Sequence, residues 1–188
     1  MVPTLKRKAF AYVTHDHPEY GQRLLIFSHP NAPEAGLQVP AGTIQPGESP
    51  DAAVLREAHE ETGLDDFDLV GFLGERLFDC APFGRDEVHQ RYFFHLRYRG
   101  DPPEVWRNYE PDPDTGPEAG GEVGPLFELF WVRLPDGVPD LIADHDALLP
   151  TLIARLGRQA PTSSPRASAS RTLDIVRERA WYPGGPAR

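Results

Sequence analysis

Glu57, Glu60 and Glu61 put three carboxylates within five residues, and a hard divalent cation is the chemistry that such a cluster suits. On a helix, like charges at i,i+3 and i,i+4 repel by about 0.2–0.5 kcal/mol per pair. Glu60 and Glu61 also fall near the expected helix C-terminus, where the backbone dipole disfavours negative charge. Arg56 offsets part of this as the i,i+4 partner of Glu60. Mg²⁺ or Mn²⁺ bound through carboxylate oxygens would remove the repulsion. Charge alone leaves a plainer reading open, an ordinary solvated acidic face.

The acids need a helix to carry them, and the surrounding residues predict one. Ser49 is a good N-cap, Pro50 suits the first helical position, and Asp51 favours the positive end of the dipole. Residues 52–56 propagate a helix, and Gly63 is a ready C-terminal stop. At 3.6 residues per turn the three glutamates fan over a face roughly 100° wide. Leu55, Ala58 and Thr62 fall on another side, where the helix can pack. Pro46 and Gly47 supply a turn between Gly42 and the helix.

Residues 42–64, GTIQPGESPDAAVLREAHEETGL, resemble the signature of the Nudix hydrolases. That signature runs Gly, five residues, Glu, seven residues, Arg-Glu, an aliphatic, one residue, Glu-Glu, one residue, Gly and an aliphatic. Gly42, Glu48, Arg56, Glu57, Glu60, Glu61 and Gly63 fill every fixed position. Ala58 is smaller than the usual aliphatic, and Leu64 fills the last place. The motif covers 23 of 188 residues, and the flanking pattern extends the resemblance over 1–157.

The resemblance implies an α/β fold, an α/β/α sandwich with a mixed β-sheet. It also implies hydrolysis of a diphosphate in a nucleotide, a nucleoside diphosphate sugar or a dinucleotide. Glu57, Glu60 and Glu61 would hold Mg²⁺ or Mn²⁺, with the Gly42 carbonyl as a further ligand. Arg56 would orient the glutamates, and Glu48 would pair with Arg56 to fasten the loop to the helix. Family members differ in the general base. Glu57 is the first choice here, with Glu118 and Glu122 as alternatives on the Pro-, Gly- and acid-rich segment 100–125. A loop of that length is often an active-site lid, although a surface insertion would read the same way. Pro82, 18 residues after Leu64, leans toward nucleoside diphosphate sugars. Two other uses of such a fold stay open: a catalytically silent ligand-sensing or binding module, and an RNA-end-processing hydrolase.

Composition narrows the setting. No apolar run reaches the ~18 residues needed to span a bilayer, and the start MVPTLKRKAF lacks a signal-peptide core. Cys80 is the single cysteine, so no internal disulfide can form and a cytoplasmic location is expected. A net charge of −10 argues against a general nucleic-acid surface and fits a small metal-bound diphosphate. Residues 158–188 differ: six arginines against Asp174 and Glu178 give +4, so the first 157 residues carry −14. This basic tail, rich in Pro, Ser and Ala, includes a potential short helix, RTLDIVRERAWY, and could pack on the acidic body or on the second copy of a homodimer.

Apolar alternation predicts strands near 6–14, 22–28, 37–40, 68–78, 88–98 and 126–133. A closing helix is expected at 144–157, with Leu148, Leu149, Leu152, Ile153 and Leu156 facing the core. Arg76, Arg85 and Arg91 could reach phosphates, and Phe83, Tyr92, Trp106, Tyr109 and Trp131 could stack on a base. His145, between Asp144 and Asp146, reads as a satisfied surface histidine.

Overall fold

The computed structural model describes residues 2–109 and 124–159. Its strands are β1 (Thr4–His17), β2 (Gly21–Ser28), β3 (Ala41–Thr43), β4 (Phe67–Asp79), β5 (Glu87–Tyr98), β6 (Val105–Tyr109) and β7 (Leu126–Arg133). Two helices, α1 (Pro50–Thr62) and α2 (Leu149–Gln159), complete the framework. The seven strands form one sheet in the order β4-β5-β1-β2-β7-β6, with β3 also paired to β1. Among the described strands only β1 and β5 run parallel; the other pairs are antiparallel. This is the mixed α/β sheet expected from the sequence.

Side-chain alternation along β1 explains the layers. Ala9, Ala11 and Val13 point into one core with Leu25, Phe27, Phe94 and the α1 residues Ala53, Val54 and Ala58. Phe10 and Tyr12 point the other way, to Leu24, Ile26, Phe93 and the α2 residues Leu149 and Leu152. Strands buried on both faces read as continuous apolar runs, which is why β1 and β2 look unbroken in the sequence. Each fully buried leucine or phenylalanine contributes about 1.5–3 kcal/mol, more than a helix cap supplies. Packing therefore holds α2 in place.

One edge of β1 is shared. Lys8–Phe10 pair with β3, and Thr14–His17 pair with β2. The β1–β3 register sets Lys8 opposite Thr43 and Ala9 opposite Gly42, placing the start of the glutamate motif against the middle of the sheet.

Three expectations need correction. The predicted strand at 37–40 is a single bridge between Gln38 and Phe27; Pro40 offers no N–H, and regular pairing starts at Ala41. The closing helix begins at Leu149 rather than 144. Pro150 cannot donate to the turn before it and disfavours helical geometry at its predecessor, so 142–148 instead forms a short 3₁₀ turn and bends. Ala143 and Asp144 adopt positive φ there, 51° and 57°. Finally, the segment read as one long loop contains β6, an edge strand whose side chains alternate between exposed and half-buried.

Candidate active site

Local rules shape α1 as anticipated. Ser49 Oγ accepts the Ala52 N–H at 3.2 Å, Pro50 stands in the first turn, and Gly63 closes the helix at φ 69° by donating to the His59 carbonyl. Strand β6 completes the C-terminus: Trp106 Nε1 donates to the Thr62 carbonyl at 2.7 Å, and Asn108 Nδ2 to the Glu60 carbonyl at 2.8 Å. These carbonyls have no helical partner of their own, so two side chains from another element meet them.

Arg56 is the hub of the site. Its Nε and Nη2 grip Glu48 Oε1 and Oε2 at 2.9 and 3.0 Å, and its Nη1 reaches Glu60 Oε2 at 2.8 Å and Glu57 Oε1 at 2.9 Å. Nη2 also donates to the Thr43 carbonyl at 3.0 Å. Glu48 Oε2 in turn accepts the Gln45 N–H at 2.9 Å. One guanidinium thus joins β3, the 44–48 turn and α1. The hydrogen bonds from Arg56 hold the Glu48 carboxyl below its ordinary pKa, and Glu48 holds the guanidinium above its own.

Glu57 and Glu61 are buried, each only 5% exposed, while Glu60 is half-buried and turned onto Arg56. The acids therefore do not form the solvated face that charge alone allows. Glu61 Oε2 accepts the Ala41 N–H at 2.8 Å. Glu57 lies so close to Gly42 that a Cβ there would stand 1.8 Å from its carboxyl carbon. Gly42 is thus required for close approach. A cleft of about 510 Å³ opens over these groups, with Lys8, Gln38, His29 and Phe127 on its other walls. Lys8 sits between opposed influences. Burial lowers its pKa and prevails over Glu57 and Glu61, which raise it. Sequence reading passed over Lys8; its signal was the last cation of Lys6-Arg7-Lys8, next to an apolar run and placed by register opposite Thr43.

All the expected ligands are oxygens, two of them on buried carboxylates seated against a glycine that a side chain would obstruct. That donor set fits Mg²⁺ or Mn²⁺. Among the described residues, one trio brings its potential ligand atoms within 4.8 Å of one another, and it lies elsewhere: Cys80, Glu87 and His89.

The remaining candidates scatter. Arg85 and Arg91 line a second cleft of about 400 Å³ that shares Lys8, Gln38 and Ala41 with the first, and Phe83 stands at it as well. Arg76 is exposed. Trp106 and Trp131 are partly buried against the α1-side core, and Trp131 Nε1 donates to the Pro103 carbonyl at 3.1 Å. His145 is buried, not superficial. Because α2 starts late, its turn folds inward, where its Nδ1 meets the Val39 N–H at 3.3 Å and burial pushes its pKa down to about 3. Glu118, Glu122 and the tail beyond Gln159 fall outside the described residues.

A family model described as the NUDIX domain matches residues 5–152. An RNA pyrophosphohydrolase of Mesorhizobium japonicum is 31% identical over 113 residues, covering 56% of this chain and 60% of that protein. The chain therefore matches less than two thirds of that relative's length. A MutT protein from Methanosarcina mazei Go1 superposes with a TM-score of 0.50 at 18% identity, over 86% of this chain and 99% of that one. A C. elegans Ap4A hydrolase does so with a TM-score of 0.57 at 15% identity, over 81% and 98%. At such identities these two structures speak to the fold.

Proposed function

This chain belongs to the Nudix hydrolase family, and on that premise we propose that it is a Mg²⁺- or Mn²⁺-dependent pyrophosphohydrolase. Its substrate is a small molecule in which a nucleoside diphosphate is linked to another moiety. The observation that carries this reading is the buried pair Glu57 and Glu61, seated against Ala41 and Gly42 at the floor of an open cleft. Arg56 and the Ala41 N–H already hold these carboxylates in place, and oxygens fixed at the floor of an open cleft suit a divalent cation shared with a diphosphate.

When bound, the cation neutralises diphosphate oxygens and lowers the pKa of the attacking water. The chain's own groups do the rest. Arg56, held by Glu48, fixes Glu57 and Glu60 in position. Glu57 accepts the proton of the water. Lys8 offers an ammonium to a phosphate oxygen from the opposite wall. No described helix is long and apolar enough to cross a membrane, and Cys80 is free, in keeping with a cytosolic enzyme.

A second reading, removal of phosphates from an RNA 5′ end, is favoured by the name of the Mesorhizobium relative. The test is phosphate and nucleotide release from nucleotides, nucleoside diphosphate sugars, dinucleotides and 5′-triphosphorylated RNA. It is run with Mg²⁺, with Mn²⁺ and with EDTA, using Glu61→Gln as control. Metal-dependent release that the variant lacks supports the hydrolase, and the best substrate separates the two readings. Silence across the panel from folded, metal-loaded protein would leave a binding module.

A further inference from the structure

Arg91 is only 3% exposed, yet no carboxylate among the described residues lies within 4.0 Å of it. Its guanidinium sits over Phe78 at 3.6 Å and over Phe10 at 5.0 Å. Its Nη1 donates to the Ala143 carbonyl, which the left-handed turn at 143–144 presents, and its Nε has no partner. Cys80 and then Asp144 act on it electrostatically, and Asp144 makes no ion pair with it. A buried cation of this kind is costly unless something anionic comes to it.

The surroundings point the same way. The cleft of about 400 Å³ beside Arg91 is also lined by Lys8, Arg85 and His89, and no Asp or Glu stands among its described lining residues. That is unexpected in a chain of net charge −10. His89 is 6% exposed, and its Nδ1 also lacks a partner. Burial lowers its pKa against the opposing hydrogen bond to Glu87, and Lys8 and Arg91 press in the same direction as burial. A soft metal on Cys80, Glu87 and His89 suits this place less well. Lys6 already occupies Glu87 at 2.6 Å, and a further cation would face Lys8 and Arg91. The cleft adjoins the glutamate cleft through Lys8, Gln38 and Ala41, so one extended ligand can enter both.

We propose that the Arg91 cleft is an anion subsite that takes a phosphoryl group of the substrate beyond the diphosphate at the glutamates. Resting on the hydrolase reading, this makes the preferred substrates those with three or more consecutive phosphates rather than a diphosphate joined to a neutral sugar. Arg91 and Lys8 supply charge from the floor, Arg85 closes on the phosphate from the exposed rim, and Phe83 offers a face to whatever follows.

The test is thermal unfolding of the full chain in EDTA with tripolyphosphate, against sodium sulfate at matched ionic strength. Wild type and Glu61→Gln should both gain several degrees at a hundredfold excess over Kd. Arg91→Met should melt no lower than wild type without ligand and gain nothing with it. Arg85→Ala, a rim change that leaves the core intact, should weaken the gain and lower kcat/KM for a nucleoside triphosphate about tenfold relative to a nucleoside diphosphate sugar. An undiminished response in both arginine variants overturns the subsite, as does stabilisation of wild type by Zn²⁺ but not by tripolyphosphate. Arginine-dependent binding without turnover of any substrate would leave the subsite standing and remove the hydrolase reading. Metal-dependent turnover with no arginine-dependent binding would do the reverse.

Discussion

Arg56 and Arg91 stand in adjoining clefts and meet opposite fates. Arg56 remains partly accessible and touches three carboxylates, Glu48, Glu57 and Glu60. Arg91 is more deeply buried and touches none among the described residues, and burial lowers its pKa to about 10. Two identical side chains therefore do different work. The first is satisfied within the protein and serves as a clamp, rigid before any ligand arrives. The second is left, among the described residues, with a deficit that the proposed anion would fill. Counting basic residues in a sequence cannot separate these roles, because the difference lies in the partners.

The largest effect should come from removing charge on the acidic side. Glu57→Gln or Glu61→Gln should cut turnover by roughly 10²–10⁴-fold with unchanged circular dichroism, the range for losing a general base or an equivalent electrostatic group. Near-normal turnover in both would break the contrast at its acidic end. Next, Gly42→Ala forces a Cβ to within 1.8 Å of the Glu57 carboxyl carbon. Overpacking of this kind costs about 1–3 kcal/mol, readable by urea unfolding, and should be accompanied by a clear fall in kcat. Glu48→Gln gives Arg56 part of the deficit that Arg91 has. Losing a bidentate charged pair that is mostly shielded from solvent should cost about 1–3 kcal/mol, and turnover should fall less than with Glu61→Gln.

A further effect, read through pH, concerns the wall behind Arg91. Burial depresses His145 to about 3 and His95 to about 4, each from an ordinary 6.5. Both are neutral in the folded and unfolded states above pH 6.5. As pH falls below that value the unfolded chain takes up protons that the folded one refuses. Stability is then lost progressively down to the folded pKa values. Urea midpoints measured from pH 7.5 to 4.5 should decline, and His145→Asn should flatten the decline. An unchanged slope in that variant would detach His145 from the effect.

Much of the acidic cleft was legible because its causes are local. Ser49, Pro50 and Gly63 define α1 through caps, and the spacing of Glu48, Arg56 and Glu60 makes their pairing nearly inevitable once that helix forms. The basic cleft was only half visible. Arg85 and Arg91 were named among several arginines, but what distinguishes Arg91 is the company of Phe10, Phe78 and Ala143, which come from distant parts of the chain. Lys8 was missed for the same reason. Strand β6 was hidden because prolines and acids surround it, and its worth lies in meeting the end of α1, which no pattern within 105–109 reveals. The inward turn at His145 depended on Pro150 delaying a helix that leucine spacing alone would have started earlier.

The parallel pairing of β1 with β5 also bears on how the molecule is made. Thr4 lies opposite Glu87 and Thr14 opposite Arg97, so the centre of the sheet joins segments more than eighty residues apart. By contrast β1, β3 and α1 follow one another closely and contact one another directly. Closing so long a span is slow compared with local assembly. A nascent chain can therefore dock its glutamate helix before β5 has emerged from the ribosome. Until β5 arrives, one flank of β1 exposes an unpaired backbone edge, and the emerging polypeptide is most prone to aggregate during that interval.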